Sequence, residues 1–377
     1  MAGRRGARRQ PEESAVKRWI MLVGVLPLLL LVGCGQGLPQ AREMDDMALM
    51  RTMGVDRGDA EGEVLVTVSS SRRARGIQGE QEPPLVLSAQ RASIAGACQA
   101  MQGLSGSYVF YGHLDQLLLG EGLAADGGVP EALEHFSRDQ DLGLGTQVWL
   151  IRGDTAQAAI QSGRDGGIDA RLTTLLRDSE LGAAGMERTA GEVLTDHLES
   201  GCAFLPALRL VGEDGELSPL ENGYGVLKDG LLAFWVTGGA ARGLELSQGH
   251  TGGELLELEQ AVVRLNSSAL TCVPVLEDGE LTGLELDLRL IAQVEQPRQE
   301  EPDRERVKEQ VREQALSWLK AALAQSQAEG ADYMGLGRMA GTSRPEQWKR
   351  LSGQWEEKFP ELAVQVRCTV VLTDMRK

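Results

Sequence analysis

Residues 223–236 read GYGVLKDGLLAFWV, and this stretch decides the fold class. Two mainly apolar segments, 223–228 and 231–236, flank the turn sequence Lys228-Asp229-Gly230. A two-residue hairpin turn needs a positive φ at both turn positions. Asp-Gly between apolar segments favours such a turn, because aspartate followed by glycine tolerates these φ values. The stretch therefore predicts an antiparallel β-hairpin.

Further strand and turn signals surround this hairpin. Glu277-Asp278-Gly279 offers a second turn of the same kind. Strands are predicted at 63–69, 85–89, 108–119, 147–151, 203–211, 256–265, 284–294 and 362–372. Because these strands far outnumber the β-α-β units that a parallel sheet requires, we expect a multi-domain α+β fold with mixed or antiparallel sheets and few helices.

The clearest helix is predicted for residues 303–329. Apolar side chains repeat there at helical spacing and form one stripe, which indicates packing on a sheet. The stripe consists of Val307, Val311, Ala315, Trp318, Ala322 and Leu323. Shorter helices are predicted at 91–104, 129–136, 155–161 and 345–358.

The length of 377 residues leaves room for more than one domain. The composition shifts near residues 165–200, a stretch with many glycines and charges, and we place a domain boundary there. The predicted organisation is a signal peptide at 1–33, an N-terminal α+β region at 34–195 and a C-terminal α+β domain at 196–377. The N-terminal region has room for two subdomains.

The N-terminus has the pattern of a secretion signal. Residues 1–18 carry six basic and two acidic side chains, and an uncharged, mostly apolar segment of 14 residues follows at 19–32. A helix needs about 20 residues to cross a bilayer, so this segment is short for a permanent span. Leu31-Val32-Gly33-Cys34 resembles the bacterial lipobox, which implies cleavage before Cys34 and a lipid on its sulfur. The alternative is an ordinary secretory signal in which Cys34 is incidental.

The formal net charge of −17 limits the possible partners. Removal of residues 1–33 would change the net charge to −21, because that segment is basic. So acidic a chain lacks the basic face that binds phosphates, and nucleic acid is therefore not a predicted partner. Anionic headgroups would also repel the chain, apart from its lipid anchor.

No motif for catalysis or metal binding stands out. The sequence contains no GxSxG, HExxH, P-loop or EF-hand pattern, and its four histidines lie far apart. We therefore predict no catalytic residue, no metal and no cofactor. An extracytoplasmic location would permit disulfides, but small or apolar neighbours favour buried free thiols. This applies to most of the four remaining cysteines, and the sequence leaves their disulfide state open: Cys98, Cys202, Cys272 and Cys368.

Short motifs along the chain resemble, in their order, those of one family. The first half contains Met53-Gly54-Val55-Asp56, Tyr111-Gly112-His113-Leu114 and Phe136-Ser137-Arg138-Asp139. The second half contains GVLKDGLL at 225–232, Ala241-Arg242-Gly243-Leu244, DYMGLG at 332–337, and then Trp348, Trp355, Phe359 and Pro360. Together with the lipobox, this set resembles the Ger(x)C proteins, which are the lipoprotein C subunits of spore germinant receptors.

The resemblance implies a non-enzymatic subunit with a three-domain α+β fold. Such a subunit would be anchored through Cys34 on the outer face of the spore's inner membrane. Its partners would be an integral-membrane A subunit and a permease-like B subunit, and the complex would trigger germination in response to nutrients. The sequence leaves open which nutrient acts and whether this subunit contacts it.

Five residues within these motifs are candidate interface or structural residues: Arg242, Gly243, Asp332, Gly335 and Gly337. From the residue types alone, Arg242 is expected to pair with a nearby carboxylate. The motif glycines are expected in turns with positive φ, namely Gly223, Gly225, Gly243 and Gly335. Trp348 and Trp355 are expected to pack in the core.

Two other classes of protein remain open on the sequence. A lipid-anchored solute-binding protein would show two α/β lobes joined by a hinge, and the β-α-β periodicity of such lobes is missing here. An envelope hydrolase would need a nucleophile, and no residue is singled out as one.

Overall fold

The computed structural model describes residues 47–71, 73–75, 80–139, 141–163, 167–179, 185–211 and 216–373. The predicted signal peptide, with Leu31, Val32, Gly33 and the lipid-attachment candidate Cys34, lies outside the described residues. Within the described part, no helix is long and apolar enough to cross a membrane.

A mixed sheet of nine strands runs through the larger part of the fold. Its strands are β1 (Met47–Arg57), β2 (Val64–Ser70), β5 (Val86–Arg91), β6 (Tyr108–Phe110), β7 (Gln116–Gly120), β8 (Gln147–Ile151), β9 (Cys202–Val211), β10 (Glu216–Lys228) and β11 (Leu231–Val236). The order is β11-β10-β9-β8-β7-β1-β2-β5, with β6 beside β1. β1, β7, β8 and β9 are parallel, and antiparallel pairs flank them. A separate ribbon pairs β3 (Arg73–Arg75) with β4 (Glu80–Glu82).

Helices cover both faces of this sheet. They are α1 (Ile94–Leu104), α2 (Glu121–Ala125), α3 (Val129–Arg138), α4 (Ala156–Gln161), α5 (Ile168–Ser179) and α6 (Ala190–Ser200). Leu117 and Leu119 of β7 face a core that includes α1, α2, α3 and α6, whereas Leu118 faces a core with α4 and α5. Because helices cover both faces, the central strands have apolar side chains on both sides of the sheet.

A second sheet of four strands follows in the chain. It has the order β12 (Leu255–Glu257), β13 (Ala261–Glu277), β14 (Glu280–Pro297) and β15 (Ala363–Thr373). Buried and exposed residues alternate along β14, so one face is solvated. The long helix α8 (Arg304–Ala328) packs on the buried face. Its first turn is capped by Asp303, whose Oδ1 accepts from the backbone N of Glu305 at 3.1 Å and of Arg306 at 3.3 Å.

A third core extends from the large sheet to the second sheet. It includes Phe204 of β9, Leu244 of α7 (Gly238–Ser247), Leu286 of β14 and Leu319 of α8. Three short helices, α9 (Leu336–Ser343), α10 (Pro345–Leu351) and α11 (Trp355–Lys358), connect α8 to β15.

Both predicted hairpin turns are confirmed. Asp229 and Gly230 have φ values of 52° and 85°, and Asp278 and Gly279 have 50° and 86°. Two consecutive positive φ values match the right-handed twist of paired strands, and aspartate followed by glycine tolerates them. The α+β class with mixed and antiparallel sheets is confirmed as well.

Several local predictions need correction. The predicted strand 256–265 covers β12 and the start of β13, which are antiparallel to each other, and the predicted helix 345–358 is interrupted between α10 and α11. The predicted strand 108–119 is split into β6 and β7, which pair with β1 separately. Residues 241–244, expected to form a turn, lie in α7. The described part also contains helices that the periodicity did not indicate, namely α2, α5, α6, α7 and α9. Helices α2 and α9 have only five and eight residues, which are too few turns for a clear apolar stripe.

The nine-stranded sheet continues across residue 195. Its strands β9, β10 and β11 belong to the predicted C-terminal domain, and the other strands to the predicted N-terminal region. The division into 34–195 and 196–377 therefore stays a prediction.

Candidate functional site

Asp332 organises the segment that leads into α9. Its Oδ1 accepts from the backbone N of Leu336 at 2.8 Å, and its Oδ2 accepts from the backbone N of Gly337 at 2.7 Å. The indole Nε1 of Trp355 also donates to Oδ2, at 3.1 Å. Gly335 lies directly before the helix and has a φ of 71°, which favours glycine. One carboxylate therefore caps α9 and ties it to α11.

Two glycines on α9 make room for two tryptophans. A Cβ on Gly337 would lie 2.8 Å from the indole nitrogen of Trp355, and a Cβ on Gly341 would lie 2.7 Å from Cδ1 of Trp348. The two glycines are four residues apart and so lie on the same face of the helix. The indole rings meet edge to face, with centroids 5.1 Å apart. Small residues on α9 thus set the position of the aromatic pair.

These tryptophans line the edge of a cavity of about 720 Å³. The cavity lies between the end of α6, the β10–β11 turn, and the segment from Gly330 to Phe359. Its lining includes five acidic and two basic side chains, which give a net charge of −3 at neutral pH. Both tryptophans are half-buried and contact the core as predicted, but they also face this cavity.

Asp196 joins the two halves of the chain at this cavity. Its Oδ1 accepts from Arg338 Nη1 at 3.0 Å, and its Oδ2 forms an ion pair with Arg188. The guanidinium of Arg188 also stacks over the ring of Phe204, 4.2 Å from its centroid. Asp196 is therefore fully engaged by arginines from both sides.

Burial raises the pKa of Asp332 to about 6, against an ordinary value of 3.8. Hydrogen bonds from the backbone of Gly337 and Leu336 and from Trp355 act in the opposite direction, because they stabilise the charged form. Loss of hydration outweighs them, so the carboxyl group in the folded chain keeps its proton to a higher pH than in the unfolded chain.

Asp332→Asn should remove a pH dependence of stability. Between pH values of about 4 and 6 the unfolded chain releases the Asp332 proton before the folded chain does, so the free energy of unfolding falls as the pH rises, by roughly 3 kcal/mol in all. Urea unfolding of the wild type and of Asp332→Asn at pH values of about 4.5 and 7 measures this. The free energy of unfolding of the wild type, relative to that of Asp332→Asn, should be smaller at the higher pH. A difference in the free energy of unfolding that grows with pH would contradict the raised pKa of Asp332. Glu300→Gln serves as a control at an exposed position.

A second polar cluster is buried beneath α7. The Tyr224 hydroxyl donates to Glu245 Oε1 at 2.7 Å and accepts from the backbone N of Met186 at 2.7 Å. Arg242 donates from Nη1 to Glu245 Oε2 at 2.8 Å and from Nη2 to Glu254 Oε2 at 2.7 Å. Burial nevertheless raises the pKa of Glu245. The expected pairing of Arg242 with a carboxylate is confirmed, although Arg242 lies on a helix and is largely buried.

Gly243 lies where α7 crosses α8. A Cβ at this position would lie 2.1 Å from the carbonyl oxygen of Trp318 and 2.8 Å from Cβ of Ala322. Neither Gly243 nor Gly225 has the positive φ that we expected, and Gly223 lies within β10, whereas Gly335 does have one. Close approach, and not turn geometry, explains the glycine at 243.

Two family models match the sequence of the chain. The model of the spore germination protein N-terminal domain matches residues 40–210, and the model of the spore germination B3/GerAC-like C-terminal domain matches residues 222–375. The chain belongs to the GerAC family of spore germination proteins. No curated protein sequence matches it.

The crystal structure of the GerBC protein is similar to this GerAC-family chain. The two share 16% sequence identity with a TM-score of 0.56, and the match covers 85% of this chain and 97% of the GerBC chain. At this identity the likeness shows the fold, which is a multi-domain α+β arrangement in both proteins.

The structure groups the motif residues into two places. Asp332, Gly335 and Gly337 form the start of α9 beside the cavity, whereas Arg242 and Gly243 lie on α7. The two places are linked by Gln248, whose Nε2 donates to the backbone oxygen of Met334 at 2.8 Å. Whether these residues form an interface with another protein stays a prediction.

The first-half motif at residues 53–56 also has a structural explanation. The buried Asp56 carboxylate accepts from the backbone N of Ala156 at 2.7 Å and of Gln157 at 2.8 Å, at the start of α4. A Cβ on Gly54 would meet Ile160 Cδ1 at 2.9 Å, so glycine lets α4 lie against β1. This role was not predictable from local sequence, because the partners are about 100 residues apart.

The four described cysteines are free thiols, which is the state that their neighbours in the sequence favoured for most of them. Burial raises the pKa of Cys98 and Cys368 to about 11, and that of Cys202 and Cys272 to about 12. Among the residues that the structure describes, no group of three or more histidine, cysteine, aspartate or glutamate side chains is arranged to hold a metal ion.

Proposed function

We propose that this chain is the lipid-anchored C subunit of a spore germinant receptor and is needed for nutrient-triggered germination. The observation that carries the proposal is the match to both GerAC family models in order, over residues 40–210 and 222–375. The fold shared with GerBC agrees with it. The Leu31-Val32-Gly33-Cys34 sequence resembles a lipobox and so supports a lipid anchor. The resemblance to the Ger(x)C proteins supports its place on the outer face of the spore's inner membrane.

We propose further that the subunit acts through contacts with the integral-membrane A and B subunits, without catalysis. The buried carboxylates of Asp56, Glu245 and Asp332 support this view. Each of them accepts hydrogen bonds from groups of its own chain, which gives it a structural task. The strongly acidic surface suits docking to proteins better than docking to anionic headgroups.

Deletion of the gene tests the proposal. Spores that lack this chain should fail to lose optical density when they meet the nutrients that trigger wild-type spores, and the wild-type gene supplied elsewhere should restore the response. Normal germination of the deletion spores with every nutrient that acts on the wild type would refute the proposal.

A further inference from the structure

The cavity beside Trp348 and Trp355 has the dimensions of a small-molecule site. Its volume of about 720 Å³ falls within the range of roughly 300–1,000 Å³ that ligand pockets occupy. Its walls combine aromatic rings with charged groups, as ligand sites do. Binding of a small molecule in this cavity does not depend on the receptor role proposed above.

The basic groups at the cavity are already engaged by the protein. Arg338 donates to Asp196 at 3.0 Å, and Lys228 Nζ lies 3.3 Å from the backbone oxygen of Glu329. An anionic ligand would have to compete with these contacts and would enter a cavity of net negative charge.

Three acidic side chains at the same cavity are not engaged in this way. Glu199, Asp229 and Glu356 have no hydrogen-bond or salt-bridge partner for their carboxylates among the described residues, and all three are exposed. They come from α6, from the β10–β11 turn and from α11, so three segments that are far apart in the sequence place negative charge around one cavity. A cation would gain electrostatic attraction from all three.

The aromatic walls favour an organic cation over a metal ion. Tryptophan is the best aromatic partner for ammonium groups, because its ring presents a negative face. Trp348 is fixed against Gly341 and Trp355, so its position is set before any ligand arrives. We propose that this cavity binds a small organic cation that carries an ammonium group, held by Trp348 and the three unpaired carboxylates.

Choline and its neutral isostere 3,3-dimethylbutan-1-ol test the inference, because they share shape and differ in charge. Saturation-transfer NMR with the full chain in detergent should show saturable binding of choline and none of the neutral alcohol. The triple variant Glu199→Gln, Asp229→Asn, Glu356→Gln should weaken choline binding by about tenfold or more, and Trp348→Leu by about threefold or more. The triple variant should fold normally, because the three residues are exposed and asparagine tolerates the positive φ at 229.

The matched control is the triple variant Glu300→Gln, Glu301→Gln, Glu313→Gln, which removes as much charge from exposed positions outside the cavity. It should change choline binding by less than about twofold, because distant exposed charges are screened. Equal binding of the neutral alcohol, no saturable choline binding, or equal effects of the two triple variants would overturn the inference. Tighter binding of an acetylated Gly-Arg-Gly-Arg peptide than of choline would also overturn it, since the cavity would then belong to a basic segment of another protein.

Discussion

Cys34→Ala should release the chain from the membrane and abolish its contribution to germination. Two acyl chains on one cysteine hold a protein firmly at a bilayer, because each buried methylene contributes about 0.8 kcal/mol. Without the thiol there is no attachment point, so the chain should move from the membrane fraction to the soluble fraction. Spores with this variant should respond to nutrients as weakly as spores that lack the gene.

Gly35→Ala is the matched control for this prediction, since it changes the neighbouring residue and keeps the thiol. It should remain in the membrane fraction and support germination. Mass spectrometry of the mature N-terminus adds an independent measurement. An unmodified Cys34 in wild-type spores, or full membrane association of Cys34→Ala, would contradict the lipid anchor.

Gly243→Ala should destabilise the fold by about 3 kcal/mol or more. The added methyl group would lie 2.1 Å from the carbonyl oxygen of Trp318, and backbone of α8 cannot move aside as a flexible side chain can. The two helices would have to separate, and the core around Leu244 and Leu319 would lose packing. Urea unfolding followed by circular dichroism measures the change.

Gly103→Ala is the matched control, because Gly103 also lies in a helix but has open space where a Cβ would lie. Alanine there should leave stability unchanged or raise it by up to about 1 kcal/mol, since alanine favours helix more than glycine does. Similar stabilities of Gly243→Ala and Gly103→Ala would show that the crossing of α7 and α8 is not as close as described.

Local turn chemistry and helical spacing made two hairpins and the long helix of the second half predictable. The two Asp-Gly turns specify their own φ values, and the long helix α8 shows enough turns for its apolar stripe to be clear. The stripe is confirmed for Val307, Val311 and Ala315, while Leu319 is buried in it and Trp318 is only half-buried. Such features depend on neighbours within a few residues.

Helix α7 was not predictable from local sequence, because its glycines have low helix propensity. It forms where Gly243 lets it pack on α8, and this contact joins residues that are far apart in the sequence. The cavity was not predictable either, because it too is formed by residues that are far apart in the sequence. Its walls come from α6, the β10–β11 turn and the segment after α8, and no single stretch of sequence shows that Glu199 and Trp348 line one space.

Co-purification from spores tests the proposed receptor role most directly. The chain with an affinity tag after Lys377 would be isolated from detergent-solubilised spore inner membrane, with an untagged strain as the control. We expect the integral-membrane A and B subunits of one germinant receptor to be enriched with the tagged chain and absent from the control. Recovery of the tagged, lipid-modified chain in normal amounts without either subunit would contradict the receptor role.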